Sequence, residues 1–124
     1  MNFFEKILGR PRNDSVEVRS IGAAETVELL KGGKAVLVDV REPAEWNEGV
    51  AEPAHLRALS DLTGARGTWA PFLMKYHAHE LILYCQAGKR AETAAKLLAS
   101  EGFRVANLGG IGTWRDANLP MRTP

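Results

Sequence analysis

Cys85 is the single cysteine of this 124-residue chain and the side chain best suited to covalent chemistry. Five residues follow it as a short loop between an apolar run and a segment with helical periodicity: Gln86, Ala87, Gly88, Lys89 and Arg90. A turn from a strand into a helix directs backbone N–H groups into one concavity, and the helix adds its positive N-terminal end. A sulfur at the base of that concavity is stabilised as a thiolate, the nucleophilic form of cysteine. The pattern therefore predicts a reactive Cys85 inside a site for a small anion.

The loop residues fit this chemistry in different ways. Gly88 can adopt a positive φ, which allows a tight ring of amides that a Cβ would crowd. Lys89 and Arg90 add two positive charges, and Arg90 has two interpretations: it attracts an anionic substrate, or it pairs across the loop and fixes its shape. The competing interpretation of Cys85 is an inert, buried thiol, the commonest environment of a lone cysteine.

The surrounding pattern predicts an α/β fold. Three apolar runs, at 35–40, 81–84 and 103–108, are typical of strands buried on both faces of a parallel sheet. A helix is predicted over 90–100, between the last two runs, and another over 23–31 that Gly32 and Gly33 end. Strand, helix and strand at this spacing form a βαβ unit. Thr68 is predicted to cap a short helix that contains Phe72 and Tyr76.

Three stretches together resemble the rhodanese family. They are the loop from Cys85 to Arg90, an Asp-x-Arg pair (Asp39 and Arg41) followed by an aromatic residue and a glycine over 37–49, and a glycine pair, a tryptophan and a Leu-Pro ending over 109–120. The resemblance covers about residues 20–121. It implies one rhodanese-like domain over 16–124, after an N-terminal extension over 1–15, with a central, mostly parallel sheet flanked by helices on both faces.

The resemblance also implies a sulfurtransferase with a ping-pong mechanism. The Cys85 thiolate would take a sulfur atom from a small anionic donor such as thiosulfate and become a persulfide, held by the amides of residues 86–90. Cyanide, a small thiol or a reduced protein thiol would then accept that sulfur. Because the chain has no second cysteine, the acceptor must come from outside. No cofactor is expected.

Two other functions remain open. Rhodanese-like phosphatases and arsenate reductases carry five residues between the cysteine and the arginine, whereas four residues separate Cys85 from Arg90 here. The shorter loop favours a single sulfur over a tetrahedral oxyanion. The segment 50–58 departs from the family pattern, with Val50, Pro53 and Arg57-Ala58 in place of the usual residues, so a non-catalytic binding module is the second alternative.

Four further residues have a functional and a structural interpretation. Asp39 and Arg41 end a predicted central strand, where ligands bind to open parallel sheets, and either frame the pocket or form a structural ion pair. The structural interpretation is favoured, since persulfide chemistry needs neither group as an acid or base. His77 and His79 lack a nearby third ligand, so a solvated loop is expected there and no metal site.

Composition excludes other classes of function. The formal net charge of +1 gives no broad electrostatic footprint for nucleic acid or anionic lipid. The chain contains no apolar run of about 18 residues, so no membrane span is expected. Residues 1–10 include an early acidic residue and no apolar signal region, and a cytoplasmic location is therefore expected. The apolar residues of the extension, Phe3, Phe4, Ile7 and Leu8, recur at helical spacing.

Overall fold

The structure is a computed structural model of the chain, and it describes Ile7 and residues 18–124. The strands are β1 (Arg19–Ser20), β2 (Ala35–Asp39), β3 (Val50–Ala51), β4 (His55–Leu56), β5 (Glu80–Cys85), β6 (Val105–Gly110) and β7 (Met121–Arg122). The helices are α1 (Ala23–Lys31), α2 (Pro43–Trp46), α3 (Leu59–Leu62), α4 (Trp69–Tyr76), α5 (Lys89–Ser100) and α6 (Ile111–Asp116). The predicted extension over 1–15 lies outside the described residues except for Ile7, which is buried.

The central sheet has five parallel strands in the order β1-β6-β5-β2-β4, and β3 pairs antiparallel with β7 in a separate ribbon. One buried cluster on the sheet includes residues of α3, α4 and α5, and a second cluster includes residues of α6 packed against partly buried residues of α1. The predicted α/β class, with a parallel sheet and helices on both faces, is confirmed. No helix among the described residues is long and apolar enough to cross a membrane.

The continuous apolar runs form the central strands because helices cover both faces of the sheet. All five residues of β2 are buried, as are the last five residues of β5. Register then brings the strand ends together: Asp39 pairs with Tyr84, and Cys85 pairs with Gly110. Three neighbouring strands therefore end at one edge of the sheet, the edge at which parallel α/β sheets bind ligands.

Helix α5 follows directly from this edge. Its N-cap is Gly88, with a φ of 104°, and its buried side is formed mainly by small residues, Ala91, Ala94 and Ala95, with Leu98. Small side chains allow the helix to pack closely on β5 and β6. The predicted helix over 90–100 is confirmed, and it begins one residue earlier than predicted.

The start of α4 corrects the predicted cap. Thr68 is the N-cap residue, but its backbone is already helical and its hydroxyl caps none of the helix amides. The Asp61 carboxylate provides the cap instead: it accepts hydrogen bonds from the backbone N–H groups of Gly67, Thr68 and Trp69 at 2.9–3.1 Å and from the Thr68 hydroxyl at 2.7 Å. A carboxylate at a helix N-terminus also interacts favourably with the helix dipole.

Candidate active site

Cys85 ends β5 and lies beneath the first turn of α5. Its side chain is almost fully buried, at 1% exposed. Its Sγ accepts hydrogen bonds from the backbone N–H of Gly88 at 3.0 Å and of Ala91 at 3.3 Å. The turn from strand to helix therefore directs two amides at the sulfur: that of Gly88 lies in the predicted loop over 86–90, whereas that of Ala91 lies one residue beyond it. Such donors stabilise negative charge on sulfur, which purely apolar surroundings would not do.

A glycine pair at the end of β6 lies against this loop. A Cβ on Gly110 would stand 2.6 Å from the carbonyl oxygen of Gln86, and a Cβ on Gly88 would stand 3.6 Å from the Cα of Gly109. Gly88 and Gly109 also have positive φ values, of 104° and 96°. The glycines allow the two backbones to approach closely, and a side chain at Gly110 would force the loop to move.

Arg90 forms a two-pronged ion pair with Glu45 of α2. Its two terminal nitrogens donate to the Glu45 carboxylate oxygens at 2.6 and 2.8 Å. The hydrogen bonds from Arg90 lower the pKa of Glu45 to about 2, and the same pairing raises the pKa of Arg90. The Glu45 carboxylate also accepts from the Glu42 N–H at 3.1 Å. The pair ties α5 to α2, which corresponds to the second interpretation of Arg90, the fixing of loop shape.

Asp39 and Arg41 form a buried ion pair at the end of β2, 0% and 1% exposed. Arg41 donates to the Asp39 carboxylate from Nε at 3.1 Å and from Nη2 at 2.8 Å. Burial lowers the pKa of Arg41, but the hydrogen bonds and charge of Asp39 outweigh it and leave that pKa raised. Arg41 also donates from Nη1 to Gln86 Oε1 at 3.1 Å and from Nη2 to the carbonyl of Gly49 at 2.8 Å. The pair thus reaches the Cys85 loop through Gln86.

Tyr84 is a member of this network that the sequence analysis does not single out. Its hydroxyl accepts a hydrogen bond from the Ala51 N–H at 3.0 Å and also bonds to Asp39. Burial, together with the charge of Asp39, raises the pKa of Tyr84. Tyr84 therefore fastens β3 beside the strand ends. The only signal in the sequence is a tyrosine at the end of an otherwise aliphatic strand.

Lys89 is the loop cation that stays unpaired. Its side chain is exposed, and it forms no ion pair with any carboxylate of the described residues. By contrast, Asp39 offsets the charge of Arg41, and Glu45 offsets that of Arg90. Among the described residues, Lys89 is therefore the cation of the loop that no carboxylate offsets.

The two histidines of the 77–79 segment have different surroundings. His77 is exposed, while His79 packs edge-on against Tyr76, with the ring centroids 5.1 Å apart. Within the described part of the chain, no group of three His, Cys, Asp or Glu side chains is placed to hold a metal ion.

Comparison with known proteins identifies the family of the chain. The family model for the rhodanese-like domain matches residues 22–117. The thiosulfate sulfurtransferase GlpE of Ectopseudomonas mendocina is 32% identical over 114 residues, which cover 86% of this chain and 93% of that protein.

Two solved structures are similar to this one. The human single-domain sulfurtransferase TSTD1 has a TM-score of 0.64 at 30% identity, with 81% of this chain and 97% of that chain covered. A rhodanese-related protein of Thermoplasma volcanium has a TM-score of 0.71 at 25% identity, with 86% and 99% covered. The chain therefore belongs to the rhodanese-like domain family, and its relatives include proteins named as sulfurtransferases.

Proposed function

We propose that the chain is a sulfurtransferase that carries sulfane sulfur as a persulfide on Cys85. The observation that supports it most strongly is the pair of backbone amides, from Gly88 and Ala91, on the Cys85 sulfur. Donors fixed by the backbone need no reorganisation when negative charge develops, so they favour a thiolate before transfer and an anionic persulfide after it. An inert thiol packed among apolar side chains would not need them.

The reaction has two half-reactions. In the first, the Cys85 thiolate attacks the outer sulfur of thiosulfate, the S–S bond of the donor breaks, and sulfite leaves with the bonding electron pair. In the second, a nucleophile such as cyanide or a thiolate attacks the terminal persulfide sulfur. The new S–S bond then breaks, and its electron pair returns to Cys85 as the thiolate. No proton acceptor is required from Asp39 or Arg41, whose charges are already paired.

Charge supports an anionic donor. With Arg41 and Arg90 both paired, Lys89 supplies the net positive charge of the loop that follows Cys85. An exposed ammonium attracts a dianion at long range, mainly by raising its rate of association. The four-residue spacing between Cys85 and Arg90, together with the close contact of Gly110 on the loop, supports a small cradle for one sulfur atom.

Mass spectrometry of the intact protein tests the proposal. After incubation with thiosulfate and removal of excess donor, we expect a gain of one sulfur atom, about 32 Da, that cyanide or a reduced thiol removes. Cys85→Ser should show no gain. Lys96→Ala is the matched control, because Lys96 forms only an exposed ion pair with Glu92 on α5 and should load like the wild type. If thiosulfate, 3-mercaptopyruvate and persulfide donors all leave the wild type unmodified, the proposal is wrong and the non-catalytic binding module becomes the better hypothesis.

A further inference from the structure

One face beside the active site combines positive charge with an exposed apolar side chain. We call it the Arg57–Lys75 surface, and its members come from β4, the residue after β4 and helix α4: His55, Arg57, Met74, Lys75 and Tyr76. The Arg57 guanidinium lies 5.0 Å from the centroid of the Phe72 ring, and the Lys75 ammonium lies 5.3 Å from that of Tyr76. These contacts hold the two cations against the rings of Phe72 and Tyr76.

The strand register places this surface beside Cys85. Asp39 pairs with both Leu56 and Tyr84, so Arg57 and Cys85, the next residues, lie level with each other. They are two strands apart, which corresponds to roughly 10 Å. Both project to the same face of the sheet, since Arg57 lies over Phe72 and Cys85 belongs to the same buried cluster as Phe72.

Carboxylates are absent from the segments that build this surface. Residues 53–59 and 62–79 contain neither aspartate nor glutamate. Asp61, between them, directs its carboxylate at the start of α4, where it accepts four hydrogen bonds. Glu80, at the far end, pairs with Arg19. Positive charge is therefore concentrated here, in a chain whose formal net charge is only +1.

The electrostatics of His55 agree with this distribution. The pKa of His55 is lowered, first by burial and then by the charges of Arg57, Lys75 and Arg122, with no carboxylate acting in the opposite direction. Arg57 and Lys75 form no ion pair within the described residues, and Arg57 uses Nη1 only on the carbonyl of Leu56, at 2.8 Å. As far as the described residues are concerned, the two cations are therefore available to an external anionic group.

Met74 adds an apolar contact to this charge. It is 56% exposed, and in the part of the chain that the structure describes it is the one large apolar side chain left exposed. Methionine is common at surfaces that bind other proteins, and Met74 directly precedes Lys75 on α4. Nucleic acid fits less well, because Phe72 is buried, Lys75 lies over Tyr76, and no aromatic ring of this surface is fully exposed for base stacking.

We propose that the Arg57–Lys75 surface docks an acidic protein whose thiol accepts the sulfur from Cys85. The proposal rests on the proposed sulfurtransferase function and names the partner of its second half-reaction. A small thiol at Cys85 would not reach cations roughly 10 Å away, whereas a folded partner spans that distance. Docking on this side would bring the thiol to the persulfide, and Cys85, the single cysteine of the chain, needs such an external acceptor.

Acceptor peptides of defined charge test the proposal. Three peptides, each with one cysteine next to six glutamates, six glutamines or six lysines, are mixed with persulfide-loaded protein, and transfer is followed in a single turnover. We expect the glutamate peptide to react about tenfold faster than the glutamine peptide at low salt. This advantage should largely disappear at about 0.5 M salt, and the lysine peptide should be the slowest.

Charge reversal identifies the surface. Arg57→Glu/Lys75→Glu should abolish the preference for the glutamate peptide, while transfer to cyanide stays within about twofold of wild type. The exposed single variant Lys75→Glu should lose part of the preference and covers the case in which the double variant folds poorly. Lys31→Glu/Lys96→Glu, exposed cations of α1 and α5, carries the same change in net charge and should retain the preference.

The other possible results of these experiments each count against one part of the docking proposal. Equal rates for the three peptides, or an equal loss in the control double variant, would overturn the docking surface. An unstructured RNA oligomer that inhibits transfer as strongly as polyglutamate would overturn the choice of a protein partner. If thiosulfate, 3-mercaptopyruvate and persulfide donors all fail to load Cys85, the proposed function fails. Binding of the glutamate peptide, measured by fluorescence anisotropy in wild type and variants, then still decides the docking proposal separately.

Discussion

Two buried arginine–carboxylate pairs have different roles in this domain: one lies at the C-terminal end of α5 and the other at the end of β2. Arg66 donates from both terminal nitrogens to Glu101, each at 2.9 Å, and Arg41 pairs with Asp39 at 2.8–3.1 Å. All four side chains are buried. The Nε–H of Arg66 donates to the carbonyl of Leu62 at 2.7 Å. It therefore fastens the residue that ends α5 to the end of α3.

The two pairs differ in the contacts that each arginine makes besides its carboxylate partner. Besides its carboxylate partner, Arg66 contacts only the backbone of Leu62, whereas Arg41 contacts the carbonyl of Gly49 and the Gln86 side chain in the active-site loop. Removing one partner of either pair leaves a buried charge without compensation, so both should be important for stability. Only the Asp39–Arg41 pair should also affect sulfur transfer.

Asp39→Asn should have the largest effect. Asp39 accepts bonds from the Arg41 side chain and backbone and also bonds to Tyr84, so the change weakens the whole network at the strand ends. We expect the free energy of unfolding, measured with urea, to fall by about 3–5 kcal/mol. Persulfide formation by the folded fraction should slow about tenfold or more, because the loop loses its fixed geometry. An unchanged rate in folded protein would contradict the coupling to the loop.

Glu101→Gln should also lower the free energy of unfolding by leaving a buried charge unpaired, but it should not slow persulfide formation. The buried Arg66 charge would lose its partner, at a cost of about 3 kcal/mol in the free energy of unfolding. The rate of persulfide formation per folded molecule should stay within about twofold of wild type. Arg66→Met/Glu101→Leu should recover much of the stability, since the apolar pair leaves no uncompensated charge. A rate decrease equal to that of Asp39→Asn would erase the distinction between the pairs.

Gln86→Ala separates the effect on stability from the effect on the rate of persulfide formation at the active site. It removes the contact between Arg41 and the loop but leaves the Asp39–Arg41 pair intact. We expect a loss of about 1 kcal/mol in the free energy of unfolding, typical of one hydrogen bond. Persulfide formation should slow severalfold. A rate equal to that of wild type would show that Arg41 stabilises the fold without positioning the loop.

Glu45 should give the smallest effect on stability, because its pair with Arg90 is partly exposed and water screens it. Its pKa is lowered from 4.5 to about 2 by the Arg90 hydrogen bonds. The pair therefore contributes fully above about pH 5, and its contribution is lost as the pH falls from 4.5 towards 2. The stability of Glu45→Gln, measured by urea unfolding at several pH values, should depend less on pH in that interval. A parallel profile for both proteins would contradict the pairing.

The sequence predicts the parts of the site that are local in the chain. The apolar runs, the helix after Cys85 and the positive φ of Gly88 all follow from patterns within a few residues. Partners distant in sequence are not predicted. Glu45 lies 45 residues from Arg90, and Arg66 lies 35 residues from Glu101, so no periodicity links them.

The segment over 50–58 shows a second reason why parts of the structure are not predicted from the sequence. The strands that it contains, β3 and β4, have two residues each, too few for an alternating pattern to be recognised. Their place depends on contacts from elsewhere, such as the Tyr84 hydroxyl on the Ala51 amide. The cap of α4 is a similar case, since Asp61 replaces the hydroxyl expected from Thr68 and lies seven residues earlier in the chain.

The close approach of Gly110 to the loop also limits how this domain can be redesigned. A longer loop after Cys85, of the kind that would hold a tetrahedral oxyanion, has to expand against a backbone that leaves no room for even one added carbon at Gly110, 2.6 Å from the Gln86 oxygen. An insertion in the loop alone is therefore expected to displace α5 rather than enlarge the cradle. A library that aims at new substrates should vary 86–90 and 109–110 together, as one engineering unit.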